Sequence, residues 1–306
     1  MAADSRNVDY ATKYAKELDQ LFTKESQTLV HMKSRGEYKE DGGVASVYFR
    51  TVDTSDFIAG HTSALFGDPT ETNSDVVRKD VDFFYETNKM LTAVQIDDTA
   101  GAMKEGGRIM NVAIMEQYTP LIDKIALGAA INAATAYGGA NVVTYDETDV
   151  ITGIGEMAAA LKQQRSYAKN QTLFIAASVE PLLNKNLFTS YTPSYNDGKA
   201  RTGEQKQLLG IDVEIVPDEF FNTMTTTGTS PYAQAAFTAA PNVKAVLWDN
   251  RVMGSVNKLK SISILTGDLA RAAGADGAVL RALYRPGAWV FDANGKKKGV
   301  AILQSA

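Results

Sequence analysis

The stretch VDFFYETNKMLTAVQID, Val81–Asp97, decides how this 306-residue chain is read. It is strand-like, and roughly twenty polar and glycine-containing residues separate it from another strand-like run, VASVYFRTVDTSDF, Val44–Phe57. Its apolar positions begin on the odd face (Val81, Phe83, Tyr85) and shift to the even face (Met90, Val94, Ile96). A half-buried strand in its own sheet keeps one face apolar. Bulky groups on both faces therefore predict a two-stranded ribbon gripped from two sides, with Val81–Asp97 as its return strand.

Composition sets the limits around that ribbon. The chain is 44% apolar and 22% charged, enough to bury a globular core. A net charge of -5 argues against a nucleic-acid reader with a basic face. There is no cysteine, which removes disulfides, thiolate nucleophiles and cysteine metal sites. His31 and His61 are the two histidines on which any histidine-based triad or zinc site would depend. No apolar run approaches the ~18 residues that a membrane-spanning helix needs. The polar start MAADSRNVDYATKYAKELDQ lacks the apolar core of a secretory signal, so a cytoplasmic origin is expected.

Along the chain, Tyr10, Tyr14, Leu18, Leu21 and Phe22 predict one amphipathic helix, followed by KSRGEYKEDGG as a flexible hinge. Thr99–Ala136 reads as one long helix capped by Thr99, with Ile114, Tyr118, Leu121, Ile122, Ile125 and Ala129 facing inward. Pro120 in its middle predicts a kink. Residues 148–258 alternate helix and strand. TDVITGIGEMAAALKQQR and EPLLNKNLF are helical, while QTLFIAASVE, LLGIDVEIVP and VKAVLWDNRV are strands. Residues 189–207 and 222–242 read as long polar loops. The tail GAVLRALYRPGAWVFDANGKKKGVAIL predicts two or three strands, with Asn294-Gly295 as a hairpin signal.

Among candidate chemistries, VITGIGEMA is the sharpest. Gly153, Gly155 and Ala158 match a dinucleotide-binding fingerprint, and Glu180 ends the next strand where a ribose-binding acid belongs. The strand that should run into the first glycine is only Val150–Thr152, however. Asp149 there reads as a helix cap whose charge would repel a phosphate. His61 lies in the ribbon's outer loop and His31 has no acidic neighbour within a turn, so both read as ordinary surface histidines. Asp75, Asp80 and Asp82, and likewise Asp97 and Asp98, lack calcium-loop spacing. Lys296, Lys297 and Lys298 read as a solvated turn. No catalytic, cofactor or metal site is expected.

The order of parts says more than any motif. A helical arm, a long β-ribbon, a long kinked helix, an α/β region and a return to strands resemble the major capsid protein of tailed phages, the Hong Kong 97-type fold. The segments that carry this are the ribbon VASVYFRTVDTSDF…VDFFYETNKMLTAVQID, the helix GGRIMNVAIMEQYTPLIDKIALGAA and the closing LRALYRPGAWVFDANGKKKGVAIL. The resemblance implies an α+β fold with an N-terminal arm (1–43) and an extended loop (44–97). It further implies a peripheral domain with a spine helix (98–147 and 259–306) and an α/β axial domain (148–258). It implies hexamers and pentamers around the axial domains, with 189–207 and 222–242 near the capsomer axis or outer surface. The ribbon would lie across an adjacent subunit, and Tyr48, Phe49, Phe57, Phe66, Phe83, Phe84 and Tyr85 would make inter-subunit contacts.

Some members of that family weld subunits through a Lys–Asn bond whose lysine sits on the extended loop. Thr54–Val77 contains no lysine, so the resemblance implies a shell held without that bond. The arm and ribbon arrive within the first fifty residues, so a separate scaffolding protein is expected, together with a portal. The implied function is a non-enzymatic icosahedral head enclosing double-stranded DNA, located in the virion and assembled in the bacterial host cytoplasm. The alternatives are an encapsulin-like compartment of the same fold and a nucleotide-binding enzyme using Gly153 and Gly155.

Overall fold

A computed structural model describes residues 26–32, 37–41, 44–52, 74–81, 83–92, 107–145, 149–166, 168–183, 207–228, 233–266, 277–291 and 299–305. The expected N-terminal helix, the Thr99 cap, the ribbon tip with His61, Phe57 and Phe66, and most of the 189–207 loop lie outside them. So do Asp82, Asp97, Asp98 and Lys296–Lys298.

The ribbon exists, with different strands from those expected. Strand β1 (Glu37–Asp41), β2 (Val44–Val52) and β3 (Ser74–Val81) form a three-stranded antiparallel sheet in the order β1-β2-β3. Asp41 pairs with Val44, so residues 37–41 of the expected hinge form a strand. β2 and β3 pair from Ala45↔Val81 to Val52↔Ser74, a ribbon of about 25 Å. The return strand is therefore Ser74–Val81. Strand β4 (Tyr85–Thr92) belongs to another sheet, where it pairs with β13 (Gly277–Val290), itself paired with β12 (Met253–Thr266). The stretch that begins at Val81 is thus divided between two sheets: Val81 ends β3 and Tyr85 opens β4.

The spine helix is helical at 107–113, passes through a π turn at Ile114–Tyr118, and continues as α1, Thr119–Tyr137. Pro120 explains the π turn. It has no N–H to donate, and Thr119 N–H instead reaches back five residues to Ile114 O. Gly138, at φ +60°, stops the helix and donates its N–H to Ala134 O. Ile122, Ile125, Ala126, Leu127, Ala130 and Ile131 are at most 1% exposed, so α1 is covered on most of its circumference.

One layer against α1 is a six-stranded sheet in the order β5-β14-β11-β6-β8-β7. Its strands are β5 (Val142–Tyr145), β6 (Gln171–Ala176), β7 (Gln207–Leu208), β8 (Ile211–Val216), β11 (Val243–Asp249) and β14 (Val300–Ser305). Every residue of β6 is buried, as a strand covered on both faces requires. Helix α2 (Val150–Gln163) packs on this sheet through Ile154, Met157 and Leu161, as its periodicity predicts. The aromatic centre is Phe174 against Trp248, ring centroids 4.2 Å apart.

Two sequence expectations fail here. Residues 222–242 contain a hairpin, β9 (Asn222–Thr227) with β10 (Gln234–Ala239), where a loop was expected. Its Thr- and Ala-rich strands carry no strong apolar alternation, so β-branched propensity was the available signal. Asn132 of α1 holds the hairpin, accepting from Met224 N–H at 3.2 Å and donating to Met224 O. The tail strands β13 and β14 do not pair with each other across Asn294-Gly295. β14 lies between β5, to which it is parallel, and β11. The last strand thus completes the six-stranded sheet and does not extend the β12–β13 unit.

Candidate functional site

The residues Phe83–Tyr85 join the ribbon to the body, and the geometry there is a clamp. Phe83 forms a parallel bridge with Ala233, and Phe84 N–H donates to Ala233 O at 2.9 Å. Phe83 is 6% exposed and belongs to the main core. The Phe84 ring lies 5.1 Å from the Arg285 guanidinium, a cation–π contact at a buried arginine. The Tyr85 hydroxyl accepts from Ala235 N–H at 3.1 Å. Burial pushes the Tyr85 phenol up, and the Ala235 bond only partly offsets it.

Tyr85 also stands opposite Tyr284 in the β4–β13 register, ring centroids 6.5 Å apart. Tyr284 is fully buried and stacks on Tyr118 at 4.7 Å. Met110 and Ile114 of the spine helix complete this cluster with Leu280 and Ala282 of β13. The ribbon therefore leaves the body from a base held by the spine helix, the β12–β13–β4 sheet and the β9–β10 hairpin.

Phe83, Phe84 and Tyr85 thus make contacts within their own chain, where two sheets meet. Tyr48 lies on β2 and is partly exposed, and Phe49 occupies the next position of the same strand. Sequence reasoning missed Tyr284, Tyr118 and Arg285 as partners. The signal available was a tyrosine and an arginine, LYRP, inside a largely apolar strand.

The dinucleotide fingerprint dissolves on inspection. Val150–Thr152 is the first turn of α2 and not the end of a strand; the nearest described strand before it, β5, ends at Tyr145. Asp149 caps it, accepting from Thr152 N–H at 3.2 Å and from Thr152 Oγ1 at 2.7 Å. Gly153 sits where α2 touches the sheet: a Cβ there would lie 2.7 Å from Leu303 Cδ1 and 3.1 Å from Tyr145 Cβ. Its glycine serves helix–sheet packing. Glu180 follows β6 in a turn at the start of a helical segment.

His31 is not a free surface histidine. Its Nε2 lies 3.1 Å from Glu214 Oε1, and its ring meets the edge of Phe174 at 5.9 Å. Glu214 is 183 residues away in sequence, beyond the reach of local reading. Among the described residues no group of three or more histidines, aspartates or glutamates is placed to hold a metal ion. No helix among them is long and apolar enough to cross a membrane.

A clamped ribbon, a spine helix interrupted by a π turn beside a long-stranded sheet, and a separate α/β sheet give an α+β fold that matches phage capsid structures. The chain is similar to the capsid of cyanophage P-SCSP1u, at 14% identity over 90% of this chain and 86% of that one, with a TM-score of 0.63. It is also similar to a structure from Microbacterium phage Oxtober96, at 14% identity over 92% and 91%, TM-score 0.59. The mature capsid of bacteriophage PhiM1 matches at 14% identity over 85% and 82%, TM-score 0.56. At this identity the likeness establishes the fold. No protein-family model and no curated protein sequence matches the chain.

Proposed function

We propose that this chain is the major capsid protein of a tailed-phage head. Hexamers and pentamers of it would close an icosahedral shell around double-stranded DNA, with no catalytic role. The observation that carries the reading is the β2–β3 ribbon, about 25 Å of paired strand leaving the body from a clamped base. It occurs in a chain whose near-full length follows the fold of phage capsids. A ribbon of that length beyond a packed core invites edge pairing unless a neighbour covers it. Lying across an adjacent subunit would supply that cover.

In this reading Tyr48, Phe49, Phe57 and Phe66 contact the neighbour, while Phe83–Tyr85 set the angle at which the ribbon leaves. The axial unit is the six-stranded sheet with α2, including the C-terminal strand Val300–Ser305. The peripheral unit is the spine helix with β4, β12 and β13. The net charge of -5 suits a wall that confines DNA without binding its sequence. A separate scaffolding protein and a portal would accompany assembly in the host cytoplasm, and the finished protein would reside in the virion.

The test replaces residues 53–73 by a two-residue Asn-Gly turn, which keeps β2 and β3 paired. The variant should remain a soluble folded subunit yet yield no closed shells by electron microscopy. Normal shells from it would refute the proposal.

A further inference from the structure

Residues 26–32 cross from the spine helix to the six-stranded sheet, and their fastening converges on one side chain. Asp123 of α1 is 2% exposed. Its Oδ1 accepts from Ser26 Oγ at 2.6 Å, Thr28 Oγ1 at 2.5 Å and Thr28 N–H at 3.1 Å, and its Oδ2 accepts from Gln27 N–H at 3.3 Å. Ser26 Oγ in turn accepts from Leu29 N–H at 3.1 Å, which shapes the turn. At the far end, Gln27 Nε2 donates to Ile215 O at 3.3 Å and His31 meets Glu214, both on β8.

No cation among the described residues is paired with this carboxyl. Lys124 is engaged with Glu219 at 3.4 Å, and Arg251 with Asp249. The carboxyl is held instead by the hydroxyls and amides of residues 26–28. The apolar contribution of the segment is small. Met32 enters the core and Leu29 packs partly against it, while Val30 is 61% exposed. Five residues after Met32 the chain enters β1, the first strand of the ribbon sheet.

We propose that residues 26–32 are a releasable strap: it opens as a unit, without the core, by leaving Asp123. Closed, it ties the spine helix to β8 and fixes where the ribbon sheet begins. Open, it frees the chain ahead of β1. Segments fastened mainly by a few polar contacts belong to the low-stability end of a fold. This concerns the single subunit, so it stands or falls independently of whether the chain builds shells.

Hydrogen exchange on the full-length subunit tests it, with Ser26→Ala as the mild variant and Asp123→Asn as the stronger one. Each should speed exchange across 26–32 by at least about tenfold, with β6, β11 and α1 unchanged. Trypsin should then cut faster at Lys24, Lys33 and Arg35, which flank the strap. Unchanged protection of 26–32 in both variants would overturn the proposal. So would a loss of protection that spreads into β6 and β11, since the strap would then be inseparable from the core.

Discussion

Two glycines two residues apart on α2 should respond to the same substitution with opposite signs. Gly155→Ala adds a methyl where nothing lies within 4 Å, so it collects the helix-propensity gain of about 1 kcal/mol. Gly153→Ala makes the same gain but drives a Cβ to 2.7 Å from Leu303 Cδ1 and 3.1 Å from Tyr145 Cβ. Leu303 is fully buried and Tyr145 is 5% exposed, so neither has free space to retreat into. Overpacking of that kind costs about 1–3 kcal/mol, leaving a net loss of about 1 kcal/mol. The two variants should therefore differ by about 2 kcal/mol. Denaturant unfolding of the purified subunit reads this directly. Thermal midpoints should move by about 2 °C up for Gly155→Ala and about 2 °C down for Gly153→Ala. Equal losses at both positions would refute the packing argument. So would a dinucleotide that stabilises the wild type by about 2.7 kcal/mol at a hundred times its dissociation constant. That would restore the glycines as a phosphate cradle.

Four further outcomes are expected. Burial pushes the Asp123 carboxyl above its usual range, and its hydrogen bonds to Ser26, Thr28 and Gln27 only partly offset that. The folded state thus holds the proton better than the unfolded chain. Stability from this group is complete below the unfolded value and is lost as pH rises through the raised one, a dependence that Asp123→Asn should remove from denaturation midpoints. Asp249 shows the opposite sign: burial raises it, but bonds from Arg251 and Ser166 win and hold it low. Its stabilisation should fade as pH falls. Arg251→Ala, which strips the 2.6 Å contact from Asp249 but leaves its bonds from Ser166 and the residue 251 amide, should cost about 1–2 kcal/mol in chemical unfolding at neutral pH, since the arginine is 39% exposed. Tyr85→Phe removes the acceptor for Ala235 N–H and should cost about 1 kcal/mol, read by the same assay.

Local order was legible wherever one short segment carried its own pattern. The periodicity of Val150–Gln163 gave α2, with Asp149 as its cap, and Pro120 announced a break that became the π turn at Ile114–Tyr118. The shift of apolar face between Tyr85 and Met90 falls inside β4 and does not mark the transfer between sheets. That transfer comes between Val81 and Tyr85, and only the registers of β3 on β2 and of β4 on β13 reveal it.

Pairing across long separations decided the rest. Asn294-Gly295 looked like a hairpin because local turn chemistry favours one, yet β14 finds better cover between β5 and β11, where Val300–Leu303 are fully buried. Asp123 sits among apolar neighbours in a helix, and nothing near it in sequence hints at donors 95–97 residues upstream. His31 and Glu214 meet in the same way. Sequence by itself determined α2, its Asp149 cap and the break in the spine helix before Pro120, since these depend on contacts within a few residues. Tertiary structure decided which strands share a sheet and which buried charges find partners, because burial rewards the best long-range match and turn propensity is too weak to oppose it.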